Sequence, residues 1–506
     1  MLADERTLPS PPLLTPLRTE RLRALRGLAQ REWLVILLLA AWAAFIFFWR
    51  LDGPGKYIYD EVYHAFTGNL MVQNDPAVYE WWQSTSTLQD HIEGTQYEWT
   101  HPPLGKLIIA GSIWLLGNNS LGWRFTNALF GVVCVLLMYA LARVLFRDRL
   151  LATLAAALLS VEGLMFAESR IGTNDIFQLA FLLAAFVCFG IFLLRTPWRG
   201  MGWLFATGAF LGLALGTKWP AMYSIILLAA VAFIRGVWPQ RQPAASEPPA
   251  LEIAPEAPPA QAHWSIPSRI AYLASTAVAL IIIPAGLYIA SYIQMFLQKH
   301  TIAPGYDQIG PISFGSITLG PSTLPDSGWW SMFVGEQWQM WHYHTTLTAG
   351  HPYYSKWWEW LLDVRPVFYY VDRSEGYVAN TYNLGNPLLY WAFPIAIVLS
   401  CWLVWKKRDP RLALVLGAFA INWLPWALSP RGMFFYHFLP AVPFLVLLVA
   451  YCLTWLWRRP EPKWQRVAGI YVAVVFFSFA FFYTQLAAWP VPEWYAAIHY
   501  WLPTWQ

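Results

Sequence analysis

The feature that most constrains this chain is a long succession of apolar runs separated by connections of alternating character. A helix that crosses a bilayer needs roughly 20 mostly apolar residues. Runs of that kind lie near 33–50, 121–146, 151–168, 174–194, 201–217, 219–237, 269–296, 387–405, 411–428, 433–457 and 467–488. The pair at 201–237 is divided by Lys218-Trp219-Pro220. Backbone polar groups inside a membrane must be satisfied within the segment, which leaves helices as the economical solution. An all-α polytopic membrane protein with eleven spans is therefore expected. The chain is 57% hydrophobic and 12% charged, about half the charge of a soluble domain. Many of its 32 Trp close the apolar runs, where interfacial anchors belong, and its loops are Trp-rich too.

Lys and Arg in the short connections set the orientation. With the Arg-rich segment 1–32 placed in the cytoplasm, every cytoplasmic connection is basic: Arg147 and Arg149; Arg195 and Arg199; Arg235 and Arg241; Lys406, Lys407, Arg408 and Arg411; and Arg458, Arg459, Lys463 and Arg466. The first run then reads as a retained signal anchor in the cell membrane, and the tail 489–506 lies outside. The N-terminal membrane module is expected at 33–238. A disordered cytoplasmic linker rich in Pro, Ala and Glu follows at 239–268, then a single span at 269–297. A four-helix module is expected at 387–488. Two outer segments are long, 51–120 and 298–386. Inside the first, Leu104 to Leu116 is apolar but too short to span and reads as an interfacial or re-entrant helix.

The modest net charge of +4 gives no support to a nucleic-acid partner. Cys134, Cys188, Cys401 and Cys452 all fall within apolar runs, so neither a disulfide framework nor a zinc site is indicated. No internal repeat appears, which counts against an inverted-repeat transporter. A lipid-binding scaffold remains a competing reading. Its signature would be ionisable residues near mid-membrane, whereas here they sit at the outer ends of the runs.

Asp60-Glu61 stand among aromatics about ten residues past the first run. They read either as a solvated turn or as a general base with an orienting carboxylate, the neighbouring charges raising each other's pKa toward neutrality. Arg124, Arg170, Lys218 and Arg431 lie at the outer ends of spans. Each could snorkel to lipid phosphate. Together they also form a candidate site for a phosphate group, which Arg grips bidentately and Lys meets as a point charge. Glu162 lies within the third run, where an ionisable residue suggests function. Asp175 opens the fourth run, and pairing with Arg170 is expected of it. His342, His344 and His351 stand among Trp338, Trp341, Trp357, Trp358 and Trp360. They suit a metal less well than an aromatic platform for a sugar or peptide.

The order of motifs resembles the protein O-mannosyltransferases of the GT-C superfamily. The matching pieces are Asp60-Glu61, His101-Pro102-Pro103-Leu104-Gly105-Lys106, Arg124, and Ser160-Val161-Glu162-Gly163 through Glu168-Ser169-Arg170-Ile171 with Asp175. They continue with Lys218-Trp219, His351-Pro352-Tyr353, Trp357-Trp358-Glu359-Trp360, Arg365-Pro366-Val367 and Gly385-Asn386-Pro387. Arg431 through His437-Phe438-Leu439-Pro440 completes the series, and the resemblance runs from about 33 to about 457. The second outer segment is too short for the β-trefoil MIR domain of eukaryotic members, so the short bacterial form is the one resembled. The resemblance implies a GT-C fold with interfacial helices in the first outer loop. It also implies inverting transfer of mannose from a polyprenyl phosphate mannose to Ser/Thr hydroxyls of a polypeptide at the outer face. Asp60 would be the base and Glu61 its partner or the acceptor's. Arg124, Arg170, Lys218 or Arg431 would hold the donor phosphate. His101, Lys106, Glu162, Asp175, His351 and Trp358 would support or bind substrate. No metal and no cofactor are expected, the lipid-linked sugar being a substrate. An alternative within the same fold moves the sugar onto a cell-envelope glycan or lipid.

Overall fold

A computed structural model describes residues 15–80, 97–237, 265–300, 308–309, 312–314, 317–319, 322–323, 329–347 and 350–506. In chain order the first half runs through α1 (Thr15–Phe48), α2 (His64–Val72), α3 (Leu104–Leu116), α4 (Ser120–Phe146), α5 (Arg149–Ser160), α6 (Gly163–Glu168), α7 (Asp175–Leu194), α8 (Met201–Leu215) and α9 (Ala221–Val237). Then come α10 (Ile266–Ala277), α11 (Ile283–Ala290) and α12 (Ile293–Leu297); an antiparallel pair of β1 (Gln308–Ile309) with β4 (Ser322–Thr323) enclosing the hairpin of β2 (Ile312–Phe314) and β3 (Ile317–Leu319); and α13 (Trp329–Thr346). The remainder is β5 (Val367–Ser374), β6 (Tyr377–Asn383), α14 (Pro387–Lys407), α15 (Pro410–Trp423), α16 (Val442–Trp457), α17 (Pro462–Leu486), β7 (Val491–Pro492) and α18 (Glu493–Ala497).

Among the described residues, seven helices are long and apolar enough to cross a membrane. Four further expected spans appear as shorter helices: the apolar part of α1 (Glu32–Phe48), α5, α8 and α9. The chain is thus a mostly helical, multi-pass membrane protein. The run 151–168 is not one continuous helix. Glu162 interrupts it and caps α6, its carboxylate accepting from the N–H groups of Leu164 at 2.9 Å and Met165 at 2.7 Å. The buried acid of the third run therefore satisfies helix-end donors. Side-chain caps start other helices too: Asn119 for α4, Asp148 for α5, Asn386 for α14 and Asp409 for α15. The short apolar helix expected at Leu104 to Leu116 is present with those bounds as α3.

The linker expected at 239–268 lies outside the described residues as far as 264, and Ser265 caps α10 at its end. Between α10 and α11, a single turn of π-helix (Val278–Ile282) precedes Pro284. Widening the ladder there relieves the clash between the proline ring and the carbonyl four residues back. The helix lies directly on α8, because Gly208 has no side chain: a Cβ there would overlap the Ala279 carbonyl oxygen. α7 and α16 are the most enclosed spans, and α10–α11 and α17 lie at the periphery.

The second outer segment carries β structure that the hydrophobic runs do not announce. β5 and β6 form an antiparallel hairpin closed by Glu375-Gly376, and β7 of the C-terminal tail adds to the far edge of β6. The tail is fastened further by Trp505, whose indole donates to Asp363 O at 2.8 Å and whose carbonyl accepts from the Tyr382 hydroxyl. Tail and second outer segment therefore share one side of the helical bundle.

Candidate active site

The site is built where the loop after α1 meets α4, α7 and the second outer segment. Tyr59–Val62 make one turn of 3₁₀-helix that follows extended Ile58. Glu61 fastens this turn. Its carboxylate accepts from the Ile58 N–H at 3.0 Å, from the Gly172 N–H at 2.9 Å and from two nitrogens of Arg124. Gly172 is required for this approach, since a Cβ there would meet the Trp123 carbonyl oxygen at 2.8 Å. Arg124 is wholly buried. Its Nε and Nη2 reach Glu61 at 2.6 and 2.7 Å, and its remaining hydrogens go to the carbonyls of Leu51, Pro54 and Lys56. All five donors of the guanidinium are thus engaged.

Asp60, one residue earlier, is only partly enclosed, and its carboxylate makes no hydrogen bond among the described residues. Burial pushes it up, Lys218 pulls it back, and the charges of Asp175 and Glu98 push it up further, to about 7. A carboxylate of that kind is half ionised near neutrality and able to accept a proton. Tyr59 stacks on Tyr369 of β5 at 4.3 Å and meets Tyr436 at 6.2 Å, forming one aromatic wall.

Lys218, in the break between α8 and α9, donates to both oxygens of Asp175 at 2.7 and 3.0 Å. Asp175 therefore pairs with Lys218 and not with Arg170 as the sequence order suggested. Arg170 instead turns back to α1. Its Nη1 donates to the carbonyls of Ile46, Phe47 and Trp49, and its Nη2 to that of Arg50. The first two are carbonyls that the end of α1 leaves without helical partners, and the other two belong to the turn that follows it. Arg124 thus has every donor engaged within the protein, and Arg170 has its Nη1 group and one Nη2 hydrogen committed to backbone carbonyls. Lys218 lies 5.1 Å from the centroid of Tyr436, and Arg431 is half-buried with Nη2 3.2 Å from His437 Nε2.

The first outer segment contributes a second cluster, around Glu98. Lys106, on the first turn of α3, donates to its carboxylate at 2.6 Å and also to the carbonyls of Glu98 and His101. His101 Nδ1 lies 2.9 Å from the other oxygen, which also accepts from the Thr100 N–H. Burial works to raise the Glu98 carboxyl, but Lys106 and His101 outweigh it and hold it well below the usual range. His64, on the first turn of α2, sits 3.8 Å from the same carboxylate, and its Nδ1 has no hydrogen-bond partner among the described residues. Burial lowers it to about 4. His344 of α13 joins through its Nε2, 2.8 Å from Thr100 O, and is likewise lowered by burial to about 4. Both rings are therefore neutral at ordinary pH.

The three histidines of the Trp-rich stretch do not act together. His342 stacks on Trp338, and His351 packs against Tyr353, Tyr354 and Phe434. Trp358 is 51% exposed beside Lys356. Among the described residues, no three His, Cys, Asp or Glu side chains converge as a metal-ligand set. Trp360 is buried against His437 and Trp426, so part of the expected platform is core.

Known proteins share this architecture and sequence. The family model described as dolichyl-phosphate-mannose-protein mannosyltransferase matches residues 117–297. A second, for the C-terminal four-TMM region of protein-O-mannosyltransferase, matches residues 329–505. The polyprenol-phosphate-mannose–protein mannosyltransferase of Mycolicibacterium smegmatis is 28% identical, over 94% of this chain and 93% of its own. That of Mycobacterium tuberculosis is 29% identical, over 94% and 92%. The fold is that of the S. cerevisiae protein O-mannosyltransferase Pmt1-Pmt2 complex bound to the sugar donor, with a TM-score of 0.72 at 16% identity, covering 94% of this chain and 93% of that one. The chain belongs to the protein O-mannosyltransferase family and is a membrane glycosyltransferase of the GT-C fold.

Proposed function

We propose that this protein transfers mannose from a polyprenyl phosphate mannose to Ser/Thr hydroxyls of polypeptides at the outer face of the cell membrane, with inversion at the anomeric carbon. The names of the mycobacterial relatives support the donor and the acceptor class. The observation that carries the chemistry is the Asp60 carboxylate. It has no hydrogen-bond partner among the described residues, is poised at about 7, and sits on a turn immobilised by Glu61 and Arg124.

In this reading the acceptor hydroxyl oxygen attacks the anomeric carbon as Asp60 takes its proton. The bond from that carbon to the phosphate oxygen breaks, and the phosphate leaves with the electron pair. One glycosidic bond replaces one glycosyl phosphate bond, and the proton ends on Asp60. The negative charge that grows on the leaving phosphate needs fixed positive charge. Lys218 and Arg431 are the basic candidates whose donors are not consumed by backbone carbonyls. No bound metal enters the step. The outer location is supported by the basic connections of one face and by the C-terminal tail packed on the second outer segment.

The test is transfer of labelled mannose by the purified protein in detergent, from polyprenyl phosphate mannose to a Ser/Thr-containing peptide. Label on the peptide is expected. Label found only in a glycan or lipid acceptor would replace the polypeptide reading with the envelope one.

A further inference from the structure

We infer that the free edge of β5 is the docking strand for the acceptor, which binds as an extended segment of polypeptide added to the sheet; the inference rests on the acceptor class proposed above. The three-stranded sheet has the order β5-β6-β7, so among the described residues β5 pairs on one side only. The hairpin closes through Glu375 and Gly376, both with positive φ (50° and 79°), the geometry of a two-residue type I′ turn. In such a hairpin the closing residues Ser374 and Tyr377 exchange both backbone hydrogen bonds, and pairs alternate from there. The N–H and C=O groups of Arg373 and Val371 consequently point away from β6, off the open edge. Val371 is 44% exposed, and the strand remains exposed to its end at Ser374.

The other end of β5 reaches the chemistry. Tyr369 is buried and stacks on Tyr59, next to Asp60. From Arg373 to Tyr369 a strand runs roughly 13 Å at ~3.3 Å per residue. A peptide laid along that edge would enter from solvent and reach the Asp60 turn within about four residues. Beside the same strand lies a cavity of about 430 Å³ lined by Tyr353, Phe368, Val371, Arg373 and Tyr500. Its three ring faces suit a flat apolar side chain of the peptide, such as an aromatic. Successive side chains of an extended peptide point to opposite faces. Main-chain pairing supplies affinity without reading sequence, and one cleft supplies a preference.

The experiment measures binding of fluorescently labelled Ser/Thr peptides to the purified full-length protein by polarisation. The peptides differ only in which backbone nitrogen is methylated. Methylation at alternate positions is expected to weaken binding tenfold or more, and methylation at the intervening positions to change it little. Tyr500→Ala is expected to weaken binding of a peptide with a phenylalanine at the cleft position and to leave its alanine counterpart unchanged. Absence of binding, or loss that follows no alternation, overturns the inference. Mannose transfer to the same peptides is read separately. Alternating binding without any transfer would uphold the docking strand and reject the mannosyl reading.

Discussion

The Glu61 carboxylate and the Arg124 guanidinium meet in two hydrogen bonds of 2.6 and 2.7 Å, wholly buried, while Asp60 next door has no hydrogen bond among the described residues. The two adjacent acids thus have separate tasks. One fixes the turn; the other is kept available.

Arg124 and Arg431 should separate stability from donor binding. Arg124→Met leaves Glu61 buried without its countercharge, and removing one partner of such a pair costs about 3–5 kcal/mol. Thermal unfolding in detergent should show the loss directly. Arg431→Ala should leave the unfolding midpoint nearly unchanged and raise the donor KM at least tenfold. A donor effect from Arg124→Lys at unchanged stability would contradict this division.

Charges around Asp60 should move the acid limb of activity in opposite directions. Lys218 favours the ionised carboxylate, and Glu98 disfavours it. Lys218→Met should shift the limb to higher pH, whatever it also costs in donor binding. Glu98→Gln should shift it to lower pH. It should also destabilise the fold, because Lys106 would stay buried without its carboxylate. Profiles of kcat/KM against pH check both signs.

Asp60→Asn should stabilise the protein in a pH-dependent way. The folded carboxyl stands at about 7, above its usual value in an unfolded chain, about 3.9. Keeping it ionised therefore costs stability above about pH 7. That cost fades as pH falls and is gone below the unfolded value. The variant's unfolding midpoint should exceed the wild type's at pH 8 and match it near pH 4.

Much of this was legible in the sequence, for definite reasons. The spans follow from runs of apolar residues, and Asp60 stood out as an acid next to a membrane. The roles of Arg124 and Arg170 were not legible, because their partners lie 63 or more residues away. Local charge shows that an arginine is present and not what consumes its donors. Glu98 was not singled out as a candidate beside His101 and Lys106. Its position three residues before His101 and eight before Lys106 was the available signal. The β5–β6 hairpin also left a trace, with β-branched and aromatic residues either side of Glu375-Gly376. Competing apolar runs masked it. The break at Glu162 was marked by the acid itself and the glycine after it.

The most direct test of the central claim is the pH dependence of mannose transfer by the wild type, with Asp60→Asn measured alongside. A general base contributes typically 10²–10⁴-fold. The wild type should show kcat/KM rising to a plateau with an apparent pKa near 7, and Asp60→Asn should lose at least about 10²-fold at the plateau while still binding donor. Equal rates for the two proteins, or a wild-type profile flat between pH 5 and 8, would contradict Asp60 as the base.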